Sequence, residues 1–226
     1  MGIKIVADSS CDLTDQMKEE MNIEIAPLTL QLEDKKYIDD EQLDVKEYVK
    51  EMKNCKTAPK TACPSPQDFL QKYQGDDSVF VVTLSSNLSG TYNSAVLAKE
   101  MYLEEVGNKF IHVFDSLSAS VGETLIALKI HELSKINIEE TEIVQKVNKY
   151  IQEMKTFFLL ESLDHLAKAG RLSPFIAKIA SVLSIKPIMG ATEEGTIRLV
   201  QKVRGYKKAF DKFVDTIGEE GKNFEE

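Results

Sequence analysis

Three clusters of small polar residues follow apolar runs that are typical of buried strands, and these clusters are the part of the sequence best suited to chemistry. The first contains Asp8 and Ser9, the second covers residues 83–91, and the third contains Asp115 and Ser116. In open parallel sheets, ligands bind beyond the carboxyl ends of the strands, which meet at one edge. We therefore expect the three clusters to lie together and to form a binding site.

The second cluster has the clearest character of an anion site. Ser89, Gly90 and Thr91 lie where a predicted strand leads into a predicted helix. The first turn of a helix carries partial positive charge and N–H groups without helical partners, so hydroxyl groups placed there can bind an anion with them. Asp8 and Asp115 have a second interpretation that is equally good, because aspartate at such positions often caps the helix that follows.

The sequence contains none of the common catalytic or cofactor-binding motifs. It lacks the phosphate loop and the Gly-x-Gly-x-x-Gly dinucleotide fingerprint. Ser89 is not in a Gly-x-Ser-x-Gly turn, and the histidines His112, His131 and His165 are widely separated. The histidines and cysteines do not have the spacing of metal ligands. We therefore expect a binding protein with no metal, no cofactor and no catalytic residues of its own.

Strands alternate with helices along most of the chain. Short apolar runs predict strands at residues 3–7, 23–32, 79–84, 110–114 and 157–160. Helical spacing connects Ala95, Ala98, Tyr102 and Val106 on one face, and a further helix is predicted over residues 138–155. This alternation predicts an α/β fold with a mostly parallel sheet.

Two domains are predicted, over residues 1–155 and 156–226. The second is expected to contain a mixed sheet, because residues 187–203 have the pattern of an antiparallel hairpin. Residues 54–66 hold three of the six prolines and are predicted to form a flexible linker.

Composition excludes several classes of protein. The 226 residues include 28 lysines and arginines and 37 aspartates and glutamates, which give a net charge of −9 and argue against nucleic-acid binding. No apolar run approaches the roughly 20 residues of a membrane-spanning helix, so membrane insertion is not expected. The N-terminus does not resemble a signal peptide, and three cysteines without a paired spacing fit a reducing cytoplasm.

Several short motifs occur in the order found in the DegV family of bacterial proteins, which the chain resembles over residues 3–204. The motifs are Asp8-Ser9-Ser10-Cys11-Asp12-Leu13, Pro27-Leu28, Tyr37-Ile38-Asp39, Thr61-Ala62-Cys63-Pro64-Ser65, Leu84-Ser85-Ser86-Asn87-Leu88-Ser89-Gly90-Thr91-Tyr92 with Ser94-Ala95, Asp115-Ser116, residues 166–173 with Gly170-Arg171, Lys186-Pro187-Ile188 and Lys202-Val203-Arg204. Each motif is weak by itself, and their common order is what makes the resemblance specific.

The resemblance implies two α/β domains of the EDD fold that bind a long-chain fatty acid between them. It also implies that hydroxyls at Thr61 and Ser89 hold the carboxylate, while an apolar tunnel encloses the tail. Such a protein is a carrier, not an enzyme, and it presents the acid to a separate ATP-dependent fatty acid kinase for phospholipid synthesis. Residues expected to support the carboxylate site are Gly90, Thr91, Asp8, Ser9, Asp115 and Ser116.

The tail and the kinase each have candidate residues in the last third of the chain. Phe175, Ile176, Ile179 and Leu183 follow Pro174 at helical spacing and are predicted to line the acyl tunnel. An ordinary inter-domain core would produce the same spacing. Arg204 lies in a basic segment, residues 198–208, and matches the arginine that contacts the kinase in this family.

The chain departs from the family pattern at two places. Cys63 stands where the family usually has glutamine, so the rim of the site is expected to differ. The family also has a histidine beside a Gly-Pro-Gly segment that closes over the carboxylate, and the sequence ends at Glu226 without it. The C-terminal sheet is therefore expected to be incomplete relative to the family.

An enzyme acting on a small phosphorylated substrate at the same sheet edge is the alternative. A phosphate site of this kind needs a cation or a basic residue, whereas a lipid carrier needs a long apolar cavity behind its hydroxyls. Lys60 is the only basic residue close to Thr61 or Ser89 in the sequence.

Overall fold

A computed structural model of the protein describes residues 2–55, 57–180 and 185–221. The contacts between residues divide the chain into two units, Met1–Met154 and Lys155–Glu226. We call them the N-terminal unit and the C-terminal unit. The division lies one residue before the predicted domain boundary.

The N-terminal unit contains seven strands and six helices among its described residues. In chain order they are β1 Ile3–Asp8, α1 Asp15–Met21, β2 Glu24–Ala26, β3 Thr29–Leu32, β4 Lys35–Ile38, α2 Val45–Asn54, β5 Lys60–Ala62, α3 Pro66–Lys72, β6 Ser78–Thr83, α4 Thr91–Glu105, β7 Ile111–Asp115, α5 Val121–Ser134 and α6 Glu140–Glu153.

The main sheet of this unit is parallel, as the alternation of strands and helices predicted. Its four strands have the order β2-β1-β6-β7, and each neighbouring pair is parallel. All six residues of β6 are buried. A strand covered by helices on both faces is expected to be continuously apolar, which is why this run was recognisable in the sequence.

The two faces of the parallel sheet pack against different helices. Ile5 and Phe80 belong to a core that also contains residues of α5 and α6. Val6 and Val81 belong to a second core that contains residues of α3 and α4. The predicted buried face of α4 is confirmed except at Val106, which follows the last helical residue and is 57% exposed.

The predicted strand over residues 23–32 is wrong, because it is two strands in two different sheets. Strand β2 pairs with β1 in the parallel sheet, whereas β3 pairs antiparallel with β4 and β5 in a separate three-stranded sheet. Pro27 lies between them and has no N–H group to donate to a strand partner. The Leu28 N–H instead donates to the Ser9 hydroxyl over 3.0 Å.

The predicted flexible linker over residues 54–66 is wrong in part. Its middle part forms β5, in which Thr61 is paired with Leu30 of β3. Its last residues begin α3, where Ser65 and Asp68 form a reciprocal capping box. The prolines therefore mark the ends of short elements here, with Pro64 buried and Pro66 at the start of the helix.

The C-terminal unit contains three strands and three helices among its described residues. They are β8 Phe157–Phe158, α7 Asp164–Lys168, α8 Pro174–Ala180, β9 Ile185–Ala191, β10 Ile197–Arg204 and α9 Tyr206–Glu220. The predicted hairpin is confirmed, since β9 and β10 pair antiparallel. Strand β8 is shorter than predicted and also pairs antiparallel with β9, so the described part of this sheet is antiparallel where the sequence suggested a mixed sheet.

Within the described ranges, no helix has both the length and the apolar character required to cross a membrane.

Candidate functional site

The three polar clusters predicted from the sequence come together at the carboxyl edge of the parallel sheet. The Leu84 N–H donates to Asp8 Oδ2 over 2.8 Å, and the Ser86 N–H donates to Asp115 Oδ1 over 3.1 Å. The Ser116 N–H donates to the Thr83 carbonyl over 3.2 Å. The predicted convergence is confirmed, and these hydrogen bonds join neighbouring strand ends.

Asp8 and Asp115 shape the loop after β6, and the interpretation that they cap the following helices is wrong. Thr14 caps α1, and Ser120 is the N-cap of α5. The two aspartates accept hydrogen bonds from the backbone of residues 84–90, which we call the hydroxyl loop. Carboxylates that accept backbone N–H groups fix a loop strongly, because hydrogen bonds to charged groups are shorter and stronger than neutral ones.

The hydroxyl loop delivers Ser89 to the start of α4. The N–H groups of Leu88 and Ser89 both donate to the Ser85 carbonyl, which closes the loop into a tight turn. Gly90 is the N-cap of α4 and has no side chain with which to cap it. Ser89 is half-buried, and its Oγ lies 2.9 Å from Oγ1 of the buried Thr91. The Ser89 hydroxyl therefore lies at a helix N-terminus of the kind that favours an anion.

The segment that carries Thr61 packs against the same helix start. Thr61 lies on β5 and is exposed. A Cβ atom added to Gly90 would lie 3.3 Å from the Cys63 Sγ, which shows how closely the two segments approach. Ser94 of α4 also donates its hydroxyl to the Pro64 carbonyl over 2.6 Å. The structure thus brings together the two segments that were predicted to share the carboxylate.

Two other residues predicted to support the site already have hydrogen-bond partners in the protein. The Ser9 hydroxyl donates to Asp39 Oδ2 over 2.7 Å. Ser116 is fully buried, and its hydroxyl donates to the Ser118 carbonyl over 3.1 Å. These contacts position strand ends, and a direct role of the two hydroxyls in ligand binding stays a prediction.

A buried pair of acids lies beside this edge, and the sequence reasoning missed it. Asp8 and Glu123 are both fully buried, and Ser10 Oγ lies 2.6 Å from Asp8 Oδ1 and 2.6 Å from Glu123 Oε1. Ser120 and Glu123 form the capping box of α5. Serine followed three residues later by glutamate was a recognisable signal for that box, but not for the contact with Asp8.

One of the two acids must carry a proton. The Ser10 hydroxyl has a single hydrogen, so it can donate to only one carboxyl group and must accept from the other. Asp8 also accepts two backbone N–H groups, from Ser10 and Leu84, whereas Glu123 accepts one, from Ser120. Burial raises the pKa of Glu123 well above its usual value, and the charge on Asp8 raises it further. We therefore place the proton on Glu123, while its Oε2 is buried without a hydrogen-bond partner.

The same environment affects the pKa values of two neighbours. Burial raises the pKa of Asp8, although its hydrogen bonds from Ser10 and Leu84 act in the opposite direction. Burial raises the pKa of the Cys11 thiol to about 12. Cys11 is therefore a neutral core residue at physiological pH and not a nucleophile.

The four predicted tunnel residues have different environments. Ile176 is buried in the core of the C-terminal unit with Leu163, Leu172 and Met189, and Ile179 is buried as well. Phe175 is 66% exposed, and the Lys202 Nζ lies 5.3 Å from the centre of its ring. Leu183 lies outside the described residues. Their role as an acyl tunnel stays a prediction.

The basic segment over residues 198–208 presents Arg204 at its surface. Arg204 is exposed at the end of β10, followed by Gly205 with a positive φ of 84°. Arg198 in the same segment is 3.2 Å from Glu220 Oε2. The ion pair neutralises one charge at the far end of the strand, so the surplus positive charge lies nearer Arg204.

Metal-binding and basic groups are sparse around the site. Among the residues that the structure describes, no group of three His, Cys, Asp or Glu side chains could hold a metal ion. His165 is exposed on α7, in the other unit from Ser89. Lys60 is exposed on β5, where its backbone is paired with Gln31.

Comparison with known proteins gives one consistent result. A family model described as "Uncharacterised protein, DegV family" matches residues 2–226. A DegV domain-containing protein of Streptococcus pyogenes serotype M1 is 40% identical over 220 residues, which cover 96% of this chain and 79% of that protein.

Two solved structures are similar over almost the whole chain. A DegV family protein from Ruminococcus gnavus, refined with vaccenic acid, has a TM-score of 0.92 and 44% identity, covering 98% of this chain and 79% of that one. The fatty acid kinase B3 protein of Streptococcus pneumoniae, loaded with linoleic acid, has a TM-score of 0.89 and 36% identity, with coverage of 98% and 79%. Both have the α/β fold described above.

Proposed function

The chain belongs to the DegV family, and on that premise we propose that it binds a long-chain fatty acid whose carboxylate is held by Thr61 and Ser89. The protein is then a carrier, and the chemistry on the carboxylate belongs to a separate ATP-dependent fatty acid kinase. Two similar structures support the ligand class, since one contains vaccenic acid and the other linoleic acid.

The observation that carries this proposal is the contact between the two hydroxyl-bearing segments. The approach of Cys63 to Gly90 brings the end of β5 against the start of α4. Thr61 is two residues before Cys63, and Ser89 is next to Gly90. The two hydroxyl-bearing segments are therefore neighbours at the start of α4, which supports a shared anion site there.

The chemistry of these donors suits a carboxylate. Hydroxyls and helix-terminal N–H groups can hold one negative charge without a lysine or arginine counter-ion. Most of the affinity is expected from the tail, because each buried methylene contributes about 0.8 kcal/mol. A chain of about 16 carbons would gain roughly 11 kcal/mol before the ordering costs of association are subtracted.

The first prediction is that protein purified from a bacterial host contains fatty acid near one equivalent per chain. An organic extract analysed by mass spectrometry measures the amount and the acyl chain. The matched control is the Thr61→Val, Ser89→Ala double variant prepared in the same way, which should retain much less.

Two results would contradict the proposal. One is an extract without an acyl chain from protein that also fails to take up added fatty acid. The other is a phosphorylated small molecule recovered in stoichiometric amount, which would favour an enzyme acting at this sheet edge.

The second prediction concerns the kinase. Arg204→Ala should leave fatty-acid affinity unchanged and lower the rate at which a cognate kinase phosphorylates the bound acid. Exposed charges mainly affect the rate at which two proteins encounter each other. At physiological ionic strength, salt screens the interaction between such charges beyond about 8–10 Å. The loss should therefore shrink as salt is added.

Arg198→Ala is the matched control, because this arginine is already paired with Glu220. It should reduce the phosphorylation rate less than Arg204→Ala does. Equal rates for Arg204→Ala and the parent at low salt would remove Arg204 from the docking surface.

A further inference from the structure

Ser94 makes two hydrogen bonds that connect the two segments of the proposed carboxylate site. Its backbone N–H donates to the Gly90 carbonyl over 3.0 Å, and its hydroxyl donates to the Pro64 carbonyl over 2.6 Å. Ser94 is only 8% exposed, so both bonds are shielded from water. Gly90 is adjacent to Ser89, and Pro64 is three residues after Thr61.

The Pro64 carbonyl lies in the short connection between β5 and α3. Ser65 begins the capping box of α3 directly after it, and β5 ends two residues before it at Ala62. The strand itself is short and fully exposed, so its own packing holds it weakly. Pairing with β3 holds the strand, and a buried hydrogen bond from α4 to this carbonyl holds the segment that follows it.

Cys63, in the segment after β5, lies close to Gly90 at the start of α4. A Cβ on Gly90 would lie 3.3 Å from Cys63 Sγ, which is tighter than most contacts of this kind. The thiol therefore leaves little room for a side chain at position 90, and the Ser94 hydroxyl bonds the Pro64 carbonyl to α4. The segment after Thr61 is thus held close to the helix start after Ser89.

We infer that Ser94 is a positioning residue for the carboxylate site, which it serves by holding Pro64, and with it Thr61, at a fixed distance from Ser89. The inference rests on the proposed function and adds to it a residue that does not touch the ligand. Two hydroxyls can bind one carboxylate together only if their spacing is fixed in advance, because ordering a mobile donor on binding reduces affinity.

The experiment compares Ser94→Ala with Tyr73→Phe. Tyr73 is also buried, and its hydroxyl donates to the Ala95 carbonyl over 3.0 Å, so it too connects α3 to α4 by a single side-chain bond. Both variants should lower the unfolding temperature by similar amounts. Only Ser94→Ala should weaken binding of a fluorescent fatty acid, by about 5- to 20-fold, whereas Tyr73→Phe should stay within about twofold of the parent.

A double-mutant cycle tests whether Ser94 acts by positioning Thr61 or only by stabilising the protein in general. In a Thr61→Val background there is no hydroxyl on β5 left to position, so adding Ser94→Ala should weaken binding by less than about twofold. A merely structural serine would give the same loss in both backgrounds. Ser94→Cys, which keeps the size but provides only a weak donor, should lose affinity as Ser94→Ala does and supplies a second variant if the alanine protein does not fold.

The outcomes distinguish the inference from the proposed function. A parent protein that binds no fatty acid overturns both. A parent that binds, and that is weakened by Ser89→Ala but unaffected by Ser94→Ala and Ser94→Cys, leaves the proposed function intact and overturns the role of Ser94. Equal losses for Ser94→Ala in the parent and in the Thr61→Val background overturn it as well.

Discussion

Ser89→Ala and Thr61→Val are each expected to weaken fatty-acid binding by roughly 10- to 150-fold, because a hydrogen bond to a charged group is worth about 1.5–3 kcal/mol. Stability should change little. Thr61 is exposed on β5, where valine has the same shape and a good strand propensity. Ser89 is bonded to Thr91, so Ser89→Ala should cost about 1 kcal/mol of folding free energy.

Titration of each variant with a fluorescent fatty acid measures the effect, and urea unfolding measures stability. Thr14→Ala is the matched control, because Thr14 caps α1 through the Met17 N–H and its loss should cost about 1 kcal/mol without reducing affinity. If both site variants bind as tightly as the parent, the carboxylate is held elsewhere. If Thr14→Ala weakens binding equally, the losses reflect stability and not contact.

The parts of the fold that were predictable are those in which one local pattern determines the outcome. The apolar run of β6 has to be covered on both faces, and the hairpin of β9 and β10 has the polar turn Glu193-Glu194-Gly195 between its two strands. The convergence of the polar clusters was predicted because the carboxyl ends of parallel strands meet at one edge of the sheet. The prediction did not depend on which polar residues the clusters contain. For this reason Asp8 and Asp115 were placed correctly while their hydrogen-bond partners were not.

The unpredicted parts depend on contacts between distant segments. The apolar run over residues 23–32 contains no local signal that assigns β2 to one sheet and β3 to another. The segment Lys60–Ala62 is exposed, only three residues long and without an apolar pattern. It forms a strand because its backbone pairs with the edge of β3. Likewise, Ser94 entered the sequence interpretation only as part of a family motif, and its proposed role depends on the hydrogen bond to the Pro64 carbonyl.

The buried acid pair gives the second large effect, which is a change in how stability depends on pH. We assigned the proton of the acid pair to Glu123, whose pKa burial raises well above the usual value. In the unfolded chain the same side chain titrates near its ordinary value of about 4.3. Between these two pKa values the folded state binds more protons than the unfolded state, so stability falls as pH rises through this range.

Glu123→Gln should remove that fall. A glutamine amide can donate to the Ser10 hydroxyl as the protonated acid does, and it does not ionise. Its nitrogen cannot accept the Ser120 N–H that Glu123 Oε1 accepts over 3.1 Å, so below about pH 4 the variant should be less stable than the parent by about 1 kcal/mol. Above that pH the parent should lose up to about 1.4 kcal/mol per pH unit relative to the variant, until the pH reaches the folded pKa. Glu123→Gln is therefore expected to be the more stable protein at pH 8.

Asp8→Asn tests the assignment of the proton, because the two acids share the Ser10 hydroxyl but have different further partners. Asp8 accepts the N–H groups of Ser10 and Leu84, so replacing its carboxylate should lower stability at every pH and loosen the hydroxyl loop. Urea unfolding of the parent and both variants from pH 4 to pH 8 provides the measurement. If Asp8→Asn is the variant that abolishes the fall while Glu123→Gln retains it, the proton resides on Asp8. In that case the hydroxyl loop is held by a neutral acid, and its hold on Leu84 is weaker than a carboxylate would provide.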